Sequence, residues 1–136
     1  MEIEYTSRER RRMRKLVGLL LAAGAFGCEE RAPIACPAFA VAGLTVAVSN
    51  AVTAQPICDA TVTAREGDYS EHLSEQPSGS SCTFVGALER PGTYVVSASR
   101  AGFVPKEMTS VRVFMGGGDC PHVVPTGVKI ALTPEG

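Results

Sequence analysis

Five cysteines and two histidines are the side chains of this 136-residue chain best suited to chemistry. The cysteines are Cys28, Cys36, Cys58, Cys82 and Cys120, and the histidines are His72 and His122. Asp119-Cys120-Pro121-His122 places three metal-ligand types close together, and a metal site needs three or four converging ligands. Neither H-E-x-x-H nor C-x-x-C occurs, so the short cluster stands without a metal motif around it. Cys120 has a better use in a disulfide, which leaves Asp119 and His122 as solvated residues of a turn. No serine sits in G-x-S-x-G, the turn that exposes a hydrolase nucleophile. Glu29-Glu30 falls on an irregular stretch and cannot make a rigid acid/base pair. Gly116-Gly117-Gly118 lacks the following helix or lysine that a phosphate cradle uses. The sequence therefore predicts no catalytic residue, no metal and no cofactor.

The charge distribution points to export. Residues 1–27 carry six Arg/Lys against three Glu, and residues 28–136 carry seven against eleven Asp/Glu. A mildly acidic remainder without a basic stripe argues against nucleic acid as a partner. Arg10-Arg11-Arg12-Met13-Arg14-Lys15 precedes the apolar run Leu16 to Gly27. This is the basic and apolar order of a signal peptide, expected over residues 1–27. Met13 begins a complete signal peptide, so residues 1–12 read as an extension ahead of it. The apolar run is shorter than the roughly 20 residues that span a bilayer. A buried core helix is the alternative, disfavoured by the basic flank. The run ends at Gly27-Cys28-Glu29-Glu30, which resembles the lipobox of bacterial lipoproteins, where the cysteine becomes the acylated N-terminus. Ala25 and Phe26 depart from that pattern, and cleavage without lipid is the other reading. Acylation of Cys28 would leave an even number of cysteines, which an oxidising compartment allows to pair.

Residues 28–38 then form a lipidated tether, and residues 39–136 the folded domain. Leu44, Val46 and Val48 alternate with small or polar residues, the period of a half-buried strand. Asn50 to Pro56 is a turn. Cys58, Ala60, Val62 and Ala64 occupy one face of a second strand. Glu66 to Ser81 is polar and aperiodic, the pattern of a long mobile loop carrying one exposed aromatic, Tyr69. Cys82 to Phe103 reads as a central hairpin. Phe84 and Leu88 lie on its first strand, Glu89-Arg90-Pro91-Gly92 supplies the turn with Gly92 at positive φ, and Thr93 to Ser99 is its second strand. Val111, Val113 and Met115 mark a further strand, Gly116 to Asp119 a loop, and Val128, Ile130 and Leu132 the last strand, with Lys129 outward. The expected core is Phe84, Leu88, Tyr94, Val96, Val62, Val113 and Ile130.

The strand positions select one of three disulfide pairings. Cys58 and Cys82 flank the polar stretch, and Cys36 and Cys120 precede the first and last strands. The expected bridges are Cys58–Cys82 and Cys36–Cys120.

The segments CDATVTA and ERPGTYVVSASRAGF resemble the carboxypeptidase regulatory-like domains, over roughly Gly43 to Pro134. The family usually has Gly where this chain has Ala54. The resemblance implies an all-β fold: a single transthyretin-like (prealbumin-like, Ig-like) β-sandwich of about seven strands, after a signal-peptide helix. It also implies a non-catalytic accessory module. The expected function is an envelope lipoprotein module, anchored to a membrane through Cys28 and offering a binding surface on the Glu66–Ser81 and Gly116–His122 loops. Its partner would be an envelope protein or a polysaccharide. Expected localisation is the bacterial cell envelope, as an outer-membrane lipoprotein facing the periplasm or the surface. The alternatives are a small-ligand or carbohydrate-binding lipoprotein, and a hydrolase using His72 or His122. The hydrolase requires a histidine beside a carboxylate or hydroxyl in a concave pocket.

Overall fold

Alternating apolar residues build two facing sheets. The computed structural model describes residues 32–136. The predicted signal peptide, Cys28 and the first tether residues lie outside the described residues. In chain order the strands are β1 (Ala42–Asn50), β2 (Thr61–Glu66), β3 (Tyr69–His72), β4 (Ser74–Ser78), β5 (Ser81–Leu88), β6 (Gly92–Ser99), β7 (Phe103–Val104), β8 (Lys106–Met115), β9 (Val123–Val124) and β10 (Thr126–Pro134). The first sheet runs β4-β5-β1-β10-β7 and the second β3-β2-β6-β8-β9. The described residues form an all-β sandwich, with ten short strands in place of the expected seven.

β1 and β10 pair in parallel, with Val46 opposite Val128 and Val48 opposite Ile130. Their strict alternation puts Leu44, Val46, Val48, Val128, Ile130 and Leu132 inside. Against them the second sheet presents Val62, Ala64, Tyr94, Val96, Val111 and Val113. The remaining sheet pairings are antiparallel.

The expected central hairpin is a crossover. β5 pairs with β1 and β4, whereas β6 pairs with β2 and β8, so Glu89 to Pro91 carries the chain from one sheet to the other. Gly92 does not adopt positive φ. The left-handed residues are Ala87, at φ 52°, and Glu89, at φ 48°. That kink breaks the alternation of β5: Gly86 and Ala87 are both buried, and Leu88, expected in the core, is 58% exposed. Tyr94, wholly buried three residues into β6, donates its hydroxyl to the carbonyl of Arg90 at 2.9 Å. This is the tyrosine corner that fixes sheet-to-sheet crossings in Greek-key sandwiches.

The expected polar loop is largely strand. β3 continues β2, and Leu73, buried and bonded to Val62, passes the chain directly into β4 at the edge of the other sheet. The chain makes a similar transfer at Pro105, between β7 and β8. Three further expectations are corrected. Ile57 is buried and Cys58 exposed, because β2 begins only at Thr61. Met115 shares the phase of Val113 but lies beyond the core and is 48% exposed. Tyr69 is partly buried against the core, its ring edge-on to Tyr94.

Both disulfides form as the strand positions suggested. Cys36–Cys120 spans 84 residues with Cα atoms 5.4 Å apart, and Cys58–Cys82 spans 24 with Cα atoms 5.6 Å apart. In the chain-entropy account such loops contribute about 4–5 and about 3 kcal/mol respectively.

Candidate functional site

Two clusters of charged and aromatic side chains gather around the crossover. The first is built on Glu89, whose left-handed backbone turns its carboxylate back toward the start of β1. Glu89 Oε1 accepts the Val41 amide at 2.7 Å and the His122 Nδ1–H at 2.6 Å, and Oε2 accepts the Val123 amide at 3.3 Å. Its own amide donates to the Val41 carbonyl. The imidazole of His122 stacks on Phe39, with centroids 4.6 Å apart. The histidine bond and then the Val41 amide hold the Glu89 carboxyl below its ordinary range. Three segments distant in sequence are thus clasped at one place: the approach to β1, the crossover, and the loop that precedes β9.

The second cluster lies on the other side of the crossover. Arg90 ion-pairs with Glu66 at 3.2 Å and lays its guanidinium 3.9 Å above the Tyr69 ring. Glu66 Oε1 accepts the Thr93 amide at 2.7 Å, and Glu71 Oε2 accepts the Tyr69 hydroxyl at 2.5 Å and the Ala87 amide at 2.9 Å. Burial pushes the Tyr69 phenol up to about 12, helped by its bond to Glu71. Burial also raises Tyr94. The carboxylates of the supposed polar loop therefore serve the backbone of the crossover. Each satisfies an amide that the change of sheet has removed from a ladder.

The expected site residues are placed as follows. His122 has a carboxylate in reach, but Glu89 already accepts the Val41 and Val123 amides, and the imidazole is stacked on Phe39. His72 is exposed and pairs across strands with Thr63, Nδ1 to Oγ1 3.1 Å. Asp119 is exposed beside the Cys36–Cys120 bridge and joins no metal-ligand group among the described residues. The Gly116–His122 segment is the loop expected of it, closed at its base by the Gly116 amide on the His122 carbonyl at 2.7 Å. A hollow of about 320 Å³ opens elsewhere, on β1, β5 and β10, lined by Thr45, Ala47, Thr83, Gly127, Val128 and Lys129. Neither histidine borders it. Sequence reading missed Glu89 and Glu71 as hubs; the only signal was a carboxylate flanking each end of the aromatic and Pro-Gly positions.

The two clusters can hold backbone segments in register. For acid/base chemistry they offer one carboxylate–imidazole pair, whose carboxylate also holds the Val41 and Val123 amides. Neither a protein-family model nor a curated protein sequence matches this chain.

Proposed function

We propose that this chain is an exported, non-catalytic β-sandwich module of the bacterial cell envelope, of the carboxypeptidase regulatory-like kind, anchored through an acylated Cys28. The observation that carries the reading is the cysteine count. Four of the five cysteines close two bridges, and the fifth is Cys28, directly after the apolar run. Paired cysteines belong to oxidising compartments, and acylation accounts for the one that remains. The backbone amides on Glu89 and the stacking of His122 on Phe39 support a structural role for this pair over a hydrolytic one. The module presents the Gly116–His122 loop beside the tether as its contact surface.

Metabolic labelling with a radioactive fatty acid, followed by cell fractionation, tests this. The wild-type chain is expected to carry label and sediment with membranes. Cys28→Ala is expected to lose the label and accumulate as precursor. Labelling of Cys28→Ala at the wild-type level refutes the anchor.

A further inference from the structure

Cys58, Cys82 and Glu75 bring two sulfur atoms and a carboxylate oxygen within 4.8 Å of one another. The β4–β5 ladder sets this arrangement. Pro77 lies opposite Cys82 and Glu75 opposite Phe84, so Glu75 and Cys82 share one face as diagonal neighbours, within reach of a long side chain. Cys82 is 3% exposed, while Cys58 and Glu75 face solvent. Glu75 forms no ion pair among the described residues. Cys58 is held independently of its bridge. Ser49 pairs with Pro56, and the buried Ile57 donates its amide to Val48 at 2.9 Å.

We propose that opening the Cys58–Cys82 bridge turns this corner into a binding site for a divalent cation of the zinc class, held by both Sγ atoms and a Glu75 carboxylate oxygen, with water as the fourth ligand. A tetrahedral site with Zn–S bonds of about 2.3 Å separates two sulfurs by about 3.8 Å. The Cα separation of 5.6 Å admits that distance through side-chain rotation. The reductant is a dithiol. Its thiolate attacks Sγ of Cys58, the more exposed of the two residues, and Cys82 leaves as thiolate. The reductant's second thiol then displaces Cys58 and departs as a cyclic disulfide. Two electrons and two protons pass to the cysteines. A bound cation takes the cysteines as thiolates and so releases both protons. In the oxidised protein the sulfurs are bonded to each other and the site is closed. The proposal does not depend on the lipid anchor.

The test is a cadmium titration of the full chain carrying Cys28→Ser and Cys36→Ser/Cys120→Ser, followed by thiolate-to-metal charge-transfer absorbance. A phosphine reductant opens the bridge without itself supplying a thiol ligand. One cadmium per chain is expected after reduction and none before it. Glu75→Gln is expected to weaken binding by at least the about tenfold that loss of even an outer-shell partner costs a metal site. Equal affinity in Glu75→Gln, or binding by the oxidised chain, overturns the proposal. Should circular dichroism show that the Cys36→Ser/Cys120→Ser chain does not fold, the titration is run on the reduced Cys28→Ser chain against its Cys58→Ser/Cys82→Ser derivative. Loss of one equivalent then supports the site, and an unchanged stoichiometry overturns it.

Discussion

Tyr94→Phe separates what the tyrosine corner contributes from what the ring contributes. The substitution keeps the buried ring and removes only the hydroxyl that reaches the Arg90 carbonyl at 2.9 Å. A typical hydrogen bond is worth a net 0.5–1.5 kcal/mol or so, and a buried group left unpaired costs about 1–3 kcal/mol. The Arg90 carbonyl sits at the crossover, where no ladder partner replaces the phenol, so the expected loss is about 1–3 kcal/mol. Tyr94→Ala, which also empties the ring's volume, is expected to cost about 3–5 kcal/mol. The assay is equilibrium urea unfolding with both disulfides intact, comparing midpoints at constant slope. The crossover also predicts locality. Tyr94→Phe should raise hydrogen exchange first at Thr93, whose amide is held by Glu66 beside the corner. A loss below about 0.5 kcal/mol, the range of neutral surface changes, would refute the view that this bond fixes the crossing.

Tyr69 holds its proton up to about 12 in the folded state, against about 10 in an unfolded chain. Its contribution is therefore intact below pH about 10 and lost as pH rises toward the folded value, about 2–3 kcal/mol at most; Tyr69→Phe should flatten that alkaline decline in a pH series of unfolding midpoints. Glu89 is shifted the other way by His122 and the Val41 amide. Its stabilisation is present above the ordinary carboxyl pKa of about 4.3 and fades as pH falls below it, so Glu89→Gln should show a shallower acid limb in the same measurement. Ala54 adopts φ 60° in the turn after β1, a strain of about 1–2 kcal/mol for an L-residue. Ala54→Gly gives back about 0.5–1 kcal/mol of this through unfolded-chain entropy, so the net gain should be up to about 1.5 kcal/mol, read as a higher thermal midpoint.

Legibility in the sequence followed the alternation. Leu44, Val46 and Val48, and Val128, Ile130 and Leu132, declare two half-buried strands because every second side chain faces one core. Nothing local states that these two strands lie parallel and adjacent, since that pairing joins the two ends of the domain. β4 gave no signal because all of its residues are exposed at a sheet edge. β3 gave none because Glu71, a carboxylate, takes an inner position there. The Tyr69 hydroxyl and the Ala87 amide make that position tolerable.

The misread hairpin shows why turn chemistry underdetermines topology. Glu89-Arg90-Pro91-Gly92 has the composition of a tight reversal, and a reversal within one sheet would place Phe84 and Tyr94 on the same inner face. A crossover places both in the same core as well, but from opposing sheets. Burial patterns alone therefore fit either arrangement. The residue that decides is Ala87. In a hairpin, β5 would keep its alternation to the turn, and Leu88 would follow Phe84 and Gly86 inward. The left-handed backbone at Ala87 shifts the phase by one residue, and Leu88 turns outward. Glu89, left-handed in turn, directs its carboxylate to Val41 and His122, and Arg90 covers Tyr69. Two strained residues are kept in place by the charged clusters on either side of them. The carboxylates therefore serve the fold. They supply acceptors along the β5–β6 crossing, Glu66 for the Thr93 amide, Glu71 for Ala87, and Glu89 for Val41 and Val123.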